Sequence, residues 1–210
     1  MSDLKDAIKG LTEMVSEYKR ETQENSQKII ELKVEVELLK NENRQIKSDF
    51  AARINNLEQR SRIKNLEVVG LKKPTLLETD TSLTLGFLKD VMEADIDISD
   101  VDVIHEVPTK RKDKKRVVVV ALKHRCKRDE ILKLRSNVRE YNKDLDQANR
   151  IYVNEQLSPV NRKVFALCSR RKNELGFKFH WTKNGVSFLK KDVNSELFKV
   201  SCEEDLVKVS

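Results

Sequence analysis

Hydrophobic side chains recur along the first quarter of the chain at alternating intervals of three and four residues. The series runs from Leu4 to Leu57, twelve of its sixteen positions are apolar, and no proline interrupts it. This heptad pattern predicts a coiled coil over residues 1–59. The seam is expected to contain Leu4, Ile8, Leu11, Val15, Ile29, Leu32, Val36, Leu39, Asn43, Ile46 and Phe50.

Charged residues beside this seam indicate how copies of the chain associate. In a parallel pair, Glu35 meets Lys40 of the second copy and Glu42 meets Lys47, whereas an antiparallel pair would bring like charges together. We therefore expect a parallel homo-oligomer. The alternative is a long amphipathic helix folded back on its own chain, and it fits less well because the apolar stripe is too narrow for a globular surface.

The number of strands in the coiled coil is left open. β-branched residues at a positions, Leu at d positions and Asn43 at an a position favour two strands. Polar Thr22 and Asn25 interrupt the seam and weaken that preference. The chain is therefore expected to partner itself as a homodimer or a homotrimer.

Beyond residue 65 the hydrophobic periodicity alternates between that of strands and that of helices. It predicts strands at 66–71, 101–107, 116–122 and 151–156, with helices at 82–94 and 125–136. The order βαββαβ is that of ferredoxin-like domains and of RNA-recognition-motif (RRM) domains. The predicted class is α+β, with a coiled-coil rod (1–59), a basic connector (60–65), a ferredoxin-like, variant RRM domain (66–150) and a small α+β C-terminal domain (151–210).

The predicted RRM-like sheet lacks the aromatic residues with which an RRM stacks bases. Glu67 stands in the first strand where an aromatic is expected, and the third strand contains none. Base stacking on this sheet is therefore not expected, and any affinity for nucleic acid should come from charge.

Positive charge is concentrated after the coiled coil. The chain has a net charge of +7, and residues 149–210 alone have 12 basic and 7 acidic side chains, a net charge of +5. Such a distribution favours a polyanionic partner, first of all a nucleic acid. Outside the C-terminal domain, the candidate phosphate contacts are Arg60, Arg62, Arg111, Lys112, Lys114, Lys115, Arg116, Arg125 and Arg128.

These basic residues also have simpler interpretations. Arg60 and Arg62 could be solvated charges at a helix end. The 110–116 run could balance the acidic segment 93–102 or act as a nuclear-localisation signal.

The C-terminal segment has strong local signals. Ser158 and Pro159 are typical of a helix start, and Gly176 of its end. Asn184 and Gly185 predict a type I′ hairpin between strands at 177–181 and 186–189. A last strand at 198–202 and a helical turn at 205–209 follow. The single tryptophan, Trp181, is expected to anchor a core that is poor in aromatics, and base stacking is the alternative role of its ring.

Specific residues at the end of the chain resemble a known family. The stretch 151–159 (IYVNEQLSP), Gly176, Phe177, Trp181 and the Asn184–Gly185 pair resemble the C-terminal domain of the baculovirus few-polyhedra (FP) proteins, a domain also found in insect retroelement-like proteins. The layout of the chain, and the junction 57–66 (LEQRSRIKNL), are similar to the first-frame RNA-binding protein of LINE-type retrotransposons.

This resemblance implies a single-stranded RNA- or DNA-binding protein and a candidate nucleic-acid chaperone, assembled as a trimer in the retrotransposon case. It also implies no catalytic residues. The basic positions of the C-terminal pattern are matched here by Arg162, Arg170, Arg171, Lys183 and Lys190.

No motif for catalysis, for a metal or for another cofactor is found. His105, His124 and His180 are dispersed, no Cys/His spacing fits zinc, and no glycine-rich phosphate loop is present. We expect neither an enzyme nor a small-molecule substrate. Three unpatterned cysteines favour a cytoplasmic or nuclear location, and no apolar run is long enough for a membrane span.

Two other functions compete with nucleic-acid binding. One is a coiled-coil structural or regulatory adaptor that binds proteins and uses its charge only for solubility. The other is a basic-zipper-type duplex reader, which is disfavoured because its basic helix should precede the heptads rather than follow them.

Overall fold

The computed structural model describes residues 2–108 and 115–209, and it has a mixed α+β architecture. The chain divides into two compact units, residues 1–53 and residues 54–210. Arg111, Lys112 and Lys114 of the basic run lie outside the described residues. Among the helices described, none contains an apolar stretch that could cross a membrane.

The first helix, α1, extends from Ser2 to Ser61. Its predicted seam is exposed in the single chain; Leu32 is 58% and Leu39 is 56% exposed. The helix continues through polar Thr22, whose hydroxyl donates to the carbonyl of Tyr18 at 2.7 Å. The long helix is confirmed, whereas its assembly into a coiled coil stays a prediction.

The first sheet contains four antiparallel strands in the order β2-β3-β1-β4. The strands are β1 (Asn65–Val69), β2 (Val101–Glu106), β3 (Val117–Leu122) and β4 (Tyr152–Glu155). The helices between them are α2 (Asp80–Asp90), α3 (Arg125–Lys133) and α4 (Arg135–Tyr141). All four predicted strands are present, and β4 closes the sheet by pairing with β1.

One face of this sheet carries the main core. Leu66, Val68 and Val120 point to this face and are fully buried together with Leu88 of α2 and Ile131 of α3. Alternate residues of the strands point to the opposite face because successive side chains of a strand alternate. We call that opposite face the outer face of the first sheet.

The helices differ from their predicted bounds for local reasons. α2 begins at Asp80 rather than residue 82, because Thr79 is its N-cap and forms a capping box with Ser82. α2 ends at Asp90, and Glu93 beyond it has a left-handed φ of 57°. The predicted helix 125–136 is interrupted at Leu134 (ψ 8°), so α4 is a separate helix that the periodicity did not indicate.

The second sheet follows helix α5 (Pro159–Leu175), whose N-cap is Ser158 and whose C-cap is Gly176 in the left-handed region. Its antiparallel order is β5-β6-β7. The strands are β5 (Phe179–Lys183), β6 (Val186–Lys190) and β7 (Leu197–Val200), followed by a 3₁₀ turn at Glu204–Lys208. The predicted hairpin is confirmed, with φ of 55° at Asn184 and 80° at Gly185.

Candidate nucleic-acid interface

Polar side chains at the end of α1 fix the beginning of α5. The Gln59 side-chain oxygen accepts hydrogen bonds from the backbone N–H of Ser158 (2.9 Å) and from Nδ2 of Asn161 (3.0 Å). Asn55 donates to Asn161 at 2.9 Å and accepts from the Ser158 hydroxyl at 2.6 Å. These bonds satisfy the buried polar groups of Ser158 and Asn161.

The tip of the C-terminal hairpin is held by a carboxylate of the first sheet. Glu155 on β4 is buried, and its two oxygens accept from the backbone N–H groups of Asn184 and Gly185, each at 2.9 Å. Arg128 lies 3.8 Å from the same carboxylate. The type I′ turn therefore both reverses the chain and attaches β5 and β6 to β4.

Two of the predicted phosphate contacts are used inside the protein. Arg128 is 2% exposed, pairs with Asp129 and donates to Asn184 Oδ1 at 3.1 Å. The Arg116 side chain is 8% exposed and pairs with Asp80 and, at 2.7 Å, with Glu106. A phosphate could reach either guanidinium only if a buried ion pair were broken, so neither residue is available as a phosphate contact.

Lys115 and Arg125 are also partly occupied. Lys115 Nζ donates to the carbonyls of Gln147 (2.6 Å) and Arg150 (2.7 Å) and lies 5.0 Å from the centre of the Tyr152 ring. Arg125 is exposed; it donates to Asn184 at 3.0 Å and lies 3.6 Å from Asp129.

The two arginines of the connector differ in their freedom. Arg62 donates to the carbonyl of Glu58 at 2.7 Å, which holds its side chain against the end of α1. Arg60 is exposed, and no ion pair joins it to another residue of the described chain. Arg60 is therefore the freer of the two for a phosphate.

The outer face of the first sheet is closed at its centre. Glu67 is 7% exposed and its cross-strand neighbour Val119 is 1% exposed. Arg162 of α5 pairs with the Glu67 carboxylate. Burial raises the pKa of Glu67, while the nearby Arg162 and Arg62 act in the opposite direction. The Glu67 carboxylate thus occupies the centre of this face and neutralises Arg162, which is one of the predicted phosphate contacts.

The remaining basic candidates lie in the C-terminal part. Arg170 and Lys183 are exposed, and the described residues provide no ion-pair partner for either. Arg171 lies 3.4 Å from Glu174, and Lys190 donates to the carbonyl of Val193. Arg170 and Lys183 therefore stand out as available cations.

Trp181 does not anchor the C-terminal core, contrary to the sequence-based expectation. That core consists of Val164 and Cys168 of α5 together with Phe177, Leu189, Val200 and Val209. Trp181 instead stacks on Phe188 across the hairpin, with ring centres 5.7 Å apart and planes inclined by 17°. Phe177, which precedes β5, fills the core position instead.

α5 packs on the other face of this sheet. His180, next to Trp181, stacks on Phe165 of α5 with ring centres 4.2 Å apart, and its Nδ1 lies 3.1 Å from the Ser169 hydroxyl. Burial, helped by nearby Lys172, lowers the pKa of His180 to about 4. A neutral, stacked imidazole at the helix–sheet contact shows which face is inward, and therefore that Trp181 points outward.

The strand register defines the outer face of the C-terminal sheet. It is formed by alternate residues of the three strands: Phe179, Trp181, Lys183, Val186, Phe188, Lys190, Leu197 and Lys199. The three strands contain no acidic residue. Phe179, Phe188 and Lys199 were not among the predicted contacts, although the alternation of aromatic residues at 179 and 181 was a usable signal.

The C-terminal segment just described matches a known family. Residues 158–210 match the family model of Baculovirus FP protein domain 2. The match includes α5 and all three strands of the second sheet, so the FP-like resemblance is supported over this quarter of the chain. A search of curated proteins found no match.

In the part of the chain that the structure describes, acidic residues do not gather into a metal site. Within residues 2–108 and 115–209, no three His, Cys, Asp or Glu side chains are placed to hold one ion. In the acidic segment 93–102, Asp97 lies 3.5 Å from Lys89, and Lys127 lies between Asp95 and Asp100. Lysines thus balance this segment.

Proposed function

We propose that the protein is a homo-oligomeric single-stranded nucleic-acid-binding protein rather than an enzyme, acting through several phosphate contacts per copy. The observation that carries this proposal is that three of the predicted phosphate contacts are exposed and have no ion-pair partner among the described residues: Arg60, Arg170 and Lys183. Phosphates of RNA or DNA are the natural anions for such a set. A chaperone role would follow from the same sequence-independent binding.

Assembly would multiply these weak contacts. We propose that the exposed seam of α1 packs in parallel against the seams of one or two further copies. In a single chain the large apolar side chains of this seam are exposed to water. Joining several weak sites raises the overall affinity by orders of magnitude without a new contact.

We also propose that the first sheet belongs to an RRM-like domain and that the chain has a retroelement-like layout. Support comes from the element order and from the antiparallel strand order β2-β3-β1-β4, which a split βαβ unit would have. Its closed outer face is consistent with binding that relies on charge outside this sheet.

Salt titration of binding to a fluorescent single-stranded oligonucleotide tests the proposal. The double variant Arg170→Gln, Lys183→Gln should weaken binding and reduce the salt slope by about 1.4 for each copy that contacts the strand, since each contact with a single strand contributes about 0.7. The control is Lys9→Gln, Lys28→Gln on α1, which removes the same charge at two exposed positions. Equal slopes for the two variants would contradict the proposal.

A second pair of variants tests assembly. Leu32→Asp, Leu39→Asp places charges in the seam, whereas Val34→Asp, Leu38→Asp places them off it at similarly exposed positions. The seam variant should sediment as a monomer and bind about 10- to 100-fold more weakly. The off-seam variant should keep the mass of the parent oligomer.

A protein-binding adaptor is the second candidate function. Ile30, Val34 and Leu38 are exposed on α1, spaced four residues apart and outside the seam. This stripe would remain exposed in the oligomer and could bind a protein. Absence of oligonucleotide binding at low salt would leave the adaptor as the better explanation.

A further inference from the structure

We propose that the outer face of the C-terminal sheet is a base-stacking platform for single-stranded nucleic acid, in which Trp181 and Phe188 stack on bases while Lys183 and Lys199 hold phosphates. This inference rests on the proposed function and deepens it, because it assigns a surface and a mode of contact to the bases.

The rings of Trp181 and Phe188 lie outside the core of the C-terminal part. α5 covers the face that carries Leu189 and His180, and the core of this part lies between that face and α5. Trp181 and Phe188 are cross-strand neighbours on the other face, and both are half-buried. Phe179, two residues before Trp181, lies on the same face and is 41% exposed.

The geometry of the rings suits stacking. Their planes differ by only 17°, so a base that stacks on one ring is nearly parallel to the other. Phe179 lies about 7 Å along the strand from Trp181 at the usual rise per residue, far enough to contact a different base. Aromatic rings on a sheet bind single strands of any sequence because every base has a π face.

Charge favours a nucleic acid over an apolar protein surface as the occupant. Lys183, Lys190 and Lys199 share this face with the rings, and none of the three strands contributes a carboxylate. Lys183 and Lys199 are exposed, and the described residues give neither an ion pair. A positively charged surface with interleaved aromatics combines phosphate attraction with stacking.

The platform is also fixed in place before any ligand binds. Glu155 holds the hairpin between β5 and β6 through the amides of Asn184 and Gly185. Because Lys183 directly precedes this turn, its backbone is held at the edge of the platform. Rigid sites lose less conformational freedom on binding.

The single tryptophan allows a direct test in the full-length protein. Trp181 fluorescence is followed while oligo(dT) is added, and separately while an abasic strand with the same number of phosphates is added. We expect strong quenching by oligo(dT) and little by the abasic strand, which should also bind about 5- to 100-fold more weakly.

Substitutions separate this face from the first sheet. Trp181→Leu should weaken oligo(dT) binding about 5- to 100-fold, and Trp181→Phe should restore part of the loss. Tyr152→Leu is the matched control, because Tyr152 is 42% exposed on the outer face of the first sheet. It should change the affinity less than twofold. Circular dichroism checks that each variant is folded.

The outcomes distinguish the platform from the proposed function. If both strands bind equally and Trp181 fluorescence does not change, the platform is wrong while phosphate binding stands. If neither strand binds, the proposed function fails as well. Quenching in the parent protein decides the question even if Trp181→Leu does not fold.

Discussion

The outer faces of the two sheets differ in what they offer to a ligand. At the centre of the first, Glu67 and Val119 are buried, and the carboxylate neutralises Arg162. On the second, Trp181 and Phe188 are half-buried among lysines, and no acidic residue lies in the strands. Both sheets are antiparallel; α5 packs on the inner face of the second sheet and also reaches the outer face of the first, where its Arg162 pairs with Glu67.

Strand order alone therefore does not determine what the outer face of a sheet offers to a ligand. Each sheet has an outer face opposite its core, and the alternate residues of its strands determine the chemistry of that face. The first sheet has the strand order that we propose for an RRM-like domain, but buried Glu67 and Val119 close the centre of its outer face. We place the expected base contacts on the smaller second sheet.

The largest expected effect comes from breaking the attachment between the two sheets. Glu155→Ala removes the buried one of the two carboxylates beside Arg128 and leaves the Asn184 and Gly185 amides without an acceptor. We expect a loss of about 3–5 kcal/mol in the free energy of unfolding, measured by urea denaturation. Glu196→Ala, at an exposed position, is the control and should cost less than about 0.5 kcal/mol.

Acid should destabilise the second sheet through His180. The pKa of His180 is about 4 in the folded protein, below its ordinary value of 6.5, so the unfolded chain takes up a proton first. The contribution of neutral His180 to the free energy of unfolding is complete above pH 6.5 and is lost progressively as the pH falls towards 4. Discounted for partial solvent exposure, the loss at pH 5 should be about 1 kcal/mol.

Urea denaturation at pH 7.5 and pH 5, followed by Trp181 fluorescence, measures this effect. His180→Phe should reduce the pH dependence because it keeps the ring stacked on Phe165 but cannot titrate. His105→Phe changes an exposed histidine of the first sheet and should leave the dependence unaltered. A parent protein and a His180→Phe variant with the same pH dependence would contradict the assignment.

The smallest expected effect comes from a substitution that makes the outer face of the first sheet more like that of the second. Glu67→Gln removes the charge that pairs with Arg162 and leaves this arginine free for a phosphate. Affinity for a single strand should rise about two- to fivefold at low salt, and the salt slope should steepen by about 0.7. Glu174→Gln, which frees Arg171 at an exposed site, is a useful comparison.

A decrease in affinity for Glu67→Gln would show that Arg162 needs Glu67 to hold its position. In that case the first sheet would contribute to the interface through an oriented arginine. The contrast between the two outer faces would then be smaller than proposed.

Local signals predicted most of the elements in this protein. Ser158 with Pro159, Gly176 and the Asn184–Gly185 pair act within a few residues, and each occupies the predicted position. The four strands of the first sheet follow from apolar periodicity for the same reason. The break at Leu134 that separates α3 from α4 has no comparable signal.

Contacts between distant segments could not be predicted in this way. Arg116 pairs with Asp80, and Arg162 pairs with Glu67, which lies 95 positions away in the sequence. The neighbouring residues of the sequence therefore do not indicate that these two arginines are already paired. Trp181 was misassigned because alternation separates two faces of a strand without showing which one a helix covers. Phe177, just before the strand, fills the core position that Trp181 was expected to fill.

The tight contact at the hairpin tip has a consequence for how sequences of this type can diverge. A Cβ atom at Gly185 would lie 2.4 Å from Cδ of Gln59, and the φ of 80° already disfavours most side chains. Positions 59 and 185 should therefore covary: a relative with Asn or Asp at 185 should have a shorter residue at 59. An alignment of relatives would reveal this coupling as a pair of linked columns 126 positions apart.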